Sequence, residues 1–327
     1  MDTPPPQKAN PDVTIVITTY QRPKLLRKAV ANLISQDFTH WELLIVDDES
    51  KDTTPEVIAE LVGSDPRIRG IRQRNQGHVV GRATAMFEAS PSSRFLLFHD
   101  DDDWLFPGAL GKLVSLAEEH PDAPAVHGIA LSVDPEGNIE PAPDRHPGYL
   151  RRGFKSPTWV ASVAPEAPET LSTLLVWCAI QTPGQVLVRR SCFDAVGGFD
   201  TTLPVSEDWD LYLRLARLAP IPRMLDPVIH RLVHPGNMTR RGAFMRQGEM
   251  VRRKFVRDPT LNRSERTMAA LGGLAAAGET LHWALDSLRS GRPIEAVRQL
   301  TRALRRIWVG LGYLPHLLAP PLPRRVQ

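Results

Sequence analysis

The chain has 327 residues, 42% hydrophobic and 24% charged, with a formal net charge of +3. That balance suits a globular protein with a sizeable core and excludes a fibrous or wholly disordered chain. Cys178 and Cys192 offer at most one disulfide and no CxxC pair, which suits a reducing compartment and argues against structural zinc.

The charge is uneven. Residues 231–327 carry 18 Lys+Arg against 6 Asp+Glu, which is +12, so residues 1–230 carry −9. An acidic body repels polyanions unless a cation intervenes, which points away from nucleic acid as a partner. The basic part can meet anionic lipid or a phosphate-bearing acceptor. No stretch reaches about 18 uninterrupted apolar residues, so no membrane-spanning helix is expected. Residues 1–11, with Pro4-Pro5-Pro6 and no apolar stretch, read as a disordered lead-in and not as a signal peptide; the expected location is cytoplasmic.

In chain order, the β-branched run Val13–Thr18 reads as a strand. Leu25, Leu26, Ala29, Val30, Leu33 and Ile34 follow at helical spacing. Leu43–Val46 is a short apolar strand that ends in Asp47-Asp48. A helix is expected over Pro55–Val62, with Pro55 in its first turn, a weaker strand over Ile68–Arg72 and a helix over Gly81–Ala89. Phe95–Phe98 is another buried strand, and Pro107–His120 another helix. Apolar strands alternating with amphipathic helices indicate an α/β fold, a Rossmann-like, mostly parallel sheet covered on both faces. Residues 133–168 are proline-rich and irregular, as substrate loops often are. A helix near Glu169–Trp177, a strand Gln185–Arg189 and a helix from Glu207 follow. The boundaries expected are a domain over 12–240, its halves meeting near residue 130, and a basic helical extension over 241–327. In that extension Leu281, Leu285 and Leu288 fit one helix, and Ile294, Val297, Leu300 and Leu304 another. With Arg298, Arg302, Arg305 and Arg306 alongside, the second can lie on an anionic membrane, or form a solvated face or a dimer surface.

In parallel sheets ligands bind beyond the C-terminal ends of strands. That rule selects Thr18-Thr19-Tyr20, Asp47-Asp48 and the run His99-Asp100-Asp101-Asp102-Asp103-Trp104. Four adjacent carboxylates raise one another's pKa, and a divalent cation such as Mg²⁺ or Mn²⁺ relieves the repulsion. Strand alternation predicts Asp100 and Asp102 on one side, Asp101 and Asp103 on the other. Taken alone, the run also fits a solvated acidic turn before a helix. Tyr20 can stack on a base, Asp48 can accept from a base N–H, and Thr18 offers a hydroxyl. Arg82 can pair with a phosphate. Trp177, Gln181, Thr182 and Trp209 can line an acceptor pocket, although tryptophans more often pack in cores.

Taken together, Thr18-Thr19-Tyr20-Gln21-Arg22, Val46-Asp47-Asp48-Glu49-Ser50, Asn75-Gln76-Gly77 and Asp100–Pro107 resemble, in order and spacing, the signatures of glycosyltransferase family 2. Val196–Asp200, Ser206–Leu211 and His234–Thr239 are similar to its acceptor-side and closing segments. The resemblance covers about residues 12–240 and implies an inverting, nucleotide-sugar-dependent enzyme with the GT-A fold. It implies that Thr18, Tyr20 and Asp48 hold the nucleobase, usually uracil. Asp100 and Asp102 become the outer aspartates of a DXD motif on ribose and metal, with Asp101 among the donor contacts and Asp103 in support. Asp208 becomes the general base beside Glu207, and His234 a further metal ligand. The acceptor class stays open among carbohydrate, lipid-linked and small-molecule hydroxyls or amines. Departures are Thr84, which replaces a common asparagine, the acidic middle of the DXD motif, and Glu49. The competing readings are a sugar-nucleotide nucleotidyltransferase, disfavoured because Thr19–Pro23 has no glycine, and a non-catalytic membrane or anion binder acting through the tail.

Overall fold

The computed structural model describes residues 10–139, 166–176, 178–234, 237, 243–262 and 264–269, with single helical positions between 272 and 304. The prolines of 140–165 and Trp177 lie outside these residues.

The strands are β1 (Val13–Thr19), β2 (Trp41–Asp47), β3 (Ile68–Arg72), β4 (Phe95–Asp100), β5 (Trp104–Leu105), β6 (Ala125–Val133), β7 (Val186–Arg189) and β8 (Arg223–Leu232). They form one sheet in the order β3-β2-β1-β4-β7-β6-β8-β5. The first four are mutually parallel, and β7 runs antiparallel to both β4 and β6. The parallel half is the reason β1, β2 and β4 read as apolar runs: both of their faces are covered.

The helices are α1 (Pro23–Ile34), α2 (Thr54–Ser64), α3 (His78–Glu88), α4 (Ala109–Glu119), α5 (Leu171–Val176), α6 (Arg190–Ala195), α7 (Glu207–Leu215) and α8 (Ala243–Val256). Leu26, Ala29, Val30 and Leu33 are the buried stripe of α1, spaced as one helical face requires. A core on one face of the sheet includes α1, α2 and α4; the core on the other includes α3, α5, α7 and α8. Helix α3 begins three residues earlier than its apolar pattern, because Gly77 (φ 87°) makes the turn that lets His78 start it. Helix α4 begins after Gly108 in the left-handed region, two residues beyond Pro107.

Helix α8 packs on the same core. Val251, Phe255 and Val256 of α8, then Leu261 and Ala269, are buried in the same cluster as Trp209 and Leu213. Lys254 of α8 pairs with Asp210 at 2.7 Å and Asp200 at 2.8 Å. The positions further on differ: Leu281, Leu285, Leu288, Ile294, Val297 and Leu300 are all exposed. No described helix is long and apolar enough to cross a membrane.

Register decides where chemistry gathers. Thr18 stands beside Val46 and Asp100, and Thr19 beside Asp47. The ends of β1, β2 and β4 are therefore level, and their polar residues share one rim.

Candidate active site

At the end of β1 the backbone turns through Gln21 (φ 54°), whose N–H donates to Ser50 Oγ at 2.9 Å. Tyr20 is left with 43% of its surface exposed, its ring at the rim. Thr18 is half-buried beneath it, against the close approach of Gly81. Asp48 is buried and accepts from Gln73 Nε2 (2.8 Å), Gln76 N–H (2.9 Å) and Gly77 N–H (2.9 Å). Three donors leave one of the roughly four lone-pair positions of a carboxylate for a ligand. Asp48 thus ties the end of β2 to the start of α3.

The aspartates do not keep strand alternation. The chain turns after Asp100, with Asp103 N–H donating to Asp100 O at 3.4 Å. The turn brings Asp103 round to join Asp100 and Asp102, whose ligand oxygens all lie within 4.8 Å of one another. Asp101 points elsewhere: Thr19 Oγ1 donates to it at 2.6 Å and Arg22 Nη1 at 2.8 Å. Both of its oxygens are engaged by protein. Burial, more than its neighbours, pushes its carboxyl up to about 6. Asp103 accepts from Thr182 Oγ1 (2.6 Å) and Leu232 N–H (3.0 Å). Burial first, then the charges of Asp100 and Asp102, hold its carboxyl well above the usual range. Strand β8 delivers His234, whose Nε2 lies 3.0 Å from Asp102 Oδ2. Arg22 Nη1 is 2.8 Å from the same oxygen.

Arg82 is not on the surface. It is 3% exposed and donates to Asp100 Oδ1 at 2.6 Å and to Glu207 Oε1. Glu207 is buried at the first position of α7 and also meets His78 Nε2 at 3.2 Å. Despite burial, these partners hold Glu207 below its usual pKa. Asp208, next in sequence, is half-buried. Its Oδ1 accepts from Trp209 N–H at 2.7 Å, and no other hydrogen bond reaches it among the described residues. Burial and then the charge of Glu207 push it up to about 7. The adjacent acids therefore divide: Glu207 is ionised and held, while Asp208 titrates where a base is useful.

The acceptor candidates separate too. Trp209 is core: its Nε1–H donates to Leu174 O at 3.0 Å, Gly248 sits against its ring, and the Arg252 guanidinium lies 4.8 Å over it. No ring face is left for a sugar. Gln181 is half-buried and donates to Ala130 O at 3.4 Å, while Thr182 reaches the aspartates directly. Two residues that sequence reasoning leaves without a role complete the arrangement. Arg22 stands inside the Thr18–Arg22 segment, and a cation beside four acids is a usable signal. For His78 the sequence holds no signal beyond its place after Gly77.

The chain matches the family model described as glycosyl transferase family 2 over residues 14–194. It is 34% identical over 131 residues to GalNAc(5)-diNAcBac-PP-undecaprenol beta-1,3-glucosyltransferase of Campylobacter jejuni, covering 39% of this chain and 41% of that one. To chondroitin synthase of Escherichia coli it is 23% identical, over 70% of this chain and 30% of that one. To the uncharacterized glycosyltransferase YwdF of Bacillus subtilis it is 30% identical, over 63% and 68%. The match thus spans less than half the length of the first two. Staphylococcus aureus TarS 1–349 in complex with UDP-GlcNAc superposes with a TM-score of 0.62 at 17% identity, over 90% of this chain and 81% of that one. Mannosyltransferase PcManGT of Pyrobaculum calidifontis, in complex with GDP-Man and Mn²⁺, gives 0.61 at 18%, over 94% and 86%. At such identities the likeness is one of fold, and that fold is GT-A.

Proposed function

Because the chain belongs to glycosyl transferase family 2, we propose that it moves a sugar from a nucleotide-sugar donor to an acceptor hydroxyl or amine, with inversion at the anomeric carbon. The observation that carries this reading is the division of the acids. Asp100, Asp102 and Asp103 converge at the end of β4, while Asp208 titrates near neutrality on the far side of Arg82. A UDP-sugar is favoured by the TarS complex, with a GDP-sugar next by the PcManGT complex.

The residues present fit a divalent metal. Carboxylate oxygens and one imidazole are a hard donor set suited to Mg²⁺ or Mn²⁺, and one oxygen from each of Asp100, Asp102 and Asp103 lies within 4.8 Å of the others. Asp102 with Asp100, Asp103 and His234 would hold the ion, which when bound offsets charge on the departing diphosphate. Tyr20 stacks on the nucleobase, and Asp48 and Thr18 offer acceptors at its edge. Asp208 takes the proton of the acceptor as the acceptor atom bonds to the anomeric carbon and the bond to the diphosphate oxygen breaks. Glu207, held by Arg82 and His78, supports that base.

A lipid-linked acceptor is the reading we favour over a soluble carbohydrate or small molecule. The Campylobacter relative's name gives a PP-undecaprenol-linked acceptor. Here Leu281, Leu285, Leu288, Ile294, Val297 and Leu300 stay exposed on a segment rich in arginine. Apolar residues at helical spacing beside basic ones suit the surface of an anionic bilayer, which would place the enzyme at the inner face of the membrane. A homodimer is the competing use of the same face.

Thermal shift with UDP, GDP, UDP-GlcNAc and GDP-mannose, each with Mn²⁺, tests the donor reading. At a ligand concentration hundredfold above Kd, stabilisation is about 2.7 kcal/mol. EDTA and the Asp102→Ala change should abolish it. No shift with any of the four would remove the donor assignment.

A further inference from the structure

Arg82 stands where the donor and acceptor halves meet. Its fork donates with Nη2 to Asp100 Oδ1, at the end of β4, and with Nη1 to Glu207 Oε1, at the start of α7. A guanidinium is planar and its donors are rigidly spaced, so two carboxylates on one fork are held at one separation. Its Nε is buried without a hydrogen-bond partner among the described residues, so the fork carries the attachment.

The start of α7 depends on that attachment. Ser206, the residue before it, is in the left-handed region at φ 63° and makes no side-chain cap hydrogen bond. A helix entered through a strained residue without a cap needs another anchor. Glu207 supplies it by pairing with Arg82 and His78. Asp208 rides on that first turn, bonded to Trp209 N–H alone among the described residues.

We propose that Arg82 is a positioning residue for the transfer step: by clamping Asp100 to Glu207 it fixes the first turn of α7, and with it the Asp208 carboxylate relative to the donor's anomeric carbon. The proposal rests on Asp208 being the base. On this reading Arg82 does not pair with the donor phosphate that the sequence suggested for it, because its Nη1 and Nη2 already donate to Glu207 and Asp100.

The charges around Asp208 make the proposal testable by sign. Glu207 on its own helix, Arg82 from α3 and Asp100 from β4 face it, and Cys178 and Tyr212 lie within its field. Glu207 holds the proton on Asp208, and Arg82 pulls it off. The test measures nucleotide release from whichever nucleotide sugar gives the largest thermal shift, across about pH 5 to 9, beside titration calorimetry with UDP and Mn²⁺.

Arg82→Lys keeps the charge and loses the fork. Its kcat should fall about 100-fold, the cost of a misplacement near 1 Å, with the acidic limb of the profile unmoved and donor KM within about threefold. Arg82→Met should move the acidic limb to higher pH, and Glu207→Gln should move it to lower pH while also lowering kcat. Melting temperatures check the fold of each variant; Glu207→Gln, which is isosteric, decides if the arginine variants do not fold. Near-normal kcat in Arg82→Lys would overturn the proposal. So would limbs that move the same way in Arg82→Met and Glu207→Gln. A raised KM and weakened UDP–Mn²⁺ binding with kcat unchanged would make Arg82 a donor ligand instead. Turnover that survives in Asp208→Asn would remove the base assignment by itself, whatever Arg82 does.

Discussion

Asp208→Asn should remove transfer and, at alkaline pH, make the protein more stable. The folded state lifts Asp208 from 3.8 to about 7, first by burial and then by Glu207. Three units at about 1.4 kcal/mol each give about 4 kcal/mol against the ionised form. Its side chain keeps some solvent contact, so about half of that, roughly 2 kcal/mol, is the better figure. Because the folded pKa lies above the unfolded one, the folded chain binds the extra proton between about pH 4 and 7. Stability is therefore lost as pH rises through that window, and the loss is complete above about 7. Asparagine has no such charge and keeps an oxygen for the Trp209 N–H. At roughly 2–4 °C per kcal/mol, the variant should melt about 4–8 °C higher near pH 8, with a smaller gain near pH 5. The wild type should lose activity below neutrality, with about a tenth of Asp208 ionised one unit below its pKa. The assays are differential scanning fluorimetry across pH and nucleotide release. A variant with wild-type turnover, or with a gain that does not grow with pH, would refute the reasoning.

Tyr20→Ala should weaken UDP binding about tenfold or more, since base stacking contributes about 1–3 kcal/mol; the exposed ring makes an unchanged melting temperature the matching control. Trp209→Ala should cost about 3–5 kcal/mol of stability, as a buried tryptophan does, read by urea denaturation; a stable variant with impaired acceptor use would return Trp209 to the acceptor pocket. Co-sedimentation with anionic liposomes should be lost when residues 290–327 are removed, and equal binding by both chains would sink the membrane contact.

Periodicity and strand-end position made the parallel half of the sheet legible. Val13–Ile17, Leu43–Val46 and Phe95–Phe98 are buried on both faces, so hydrophobicity alone marks them as strands, and the polar residues after each had to share a rim once the strands ran parallel. Local pattern served less well where the backbone leaves a regular path. The turn at Asp101-Asp102 regrouped Asp103 with Asp100 and Asp102, which strand alternation does not foresee.

What the sequence by itself determined was the α/β class, the order of the main elements from β1 to α4 and the list of acids proposed to carry the chemistry, because each depends on nearest neighbours and period. The tertiary structure alone decided the surroundings of each acid. Glu207 and Asp208 are adjacent and alike in sequence, yet one is bonded to Arg82 and His78 from α3 while the other, among the described residues, is hydrogen-bonded to its own helix alone. Trp209, equally suited on paper to a sugar face, is covered by α8 from about forty residues downstream. Charge partners and burial come from residues far apart in the chain, and a pKa or an open ring face exists only once they have met.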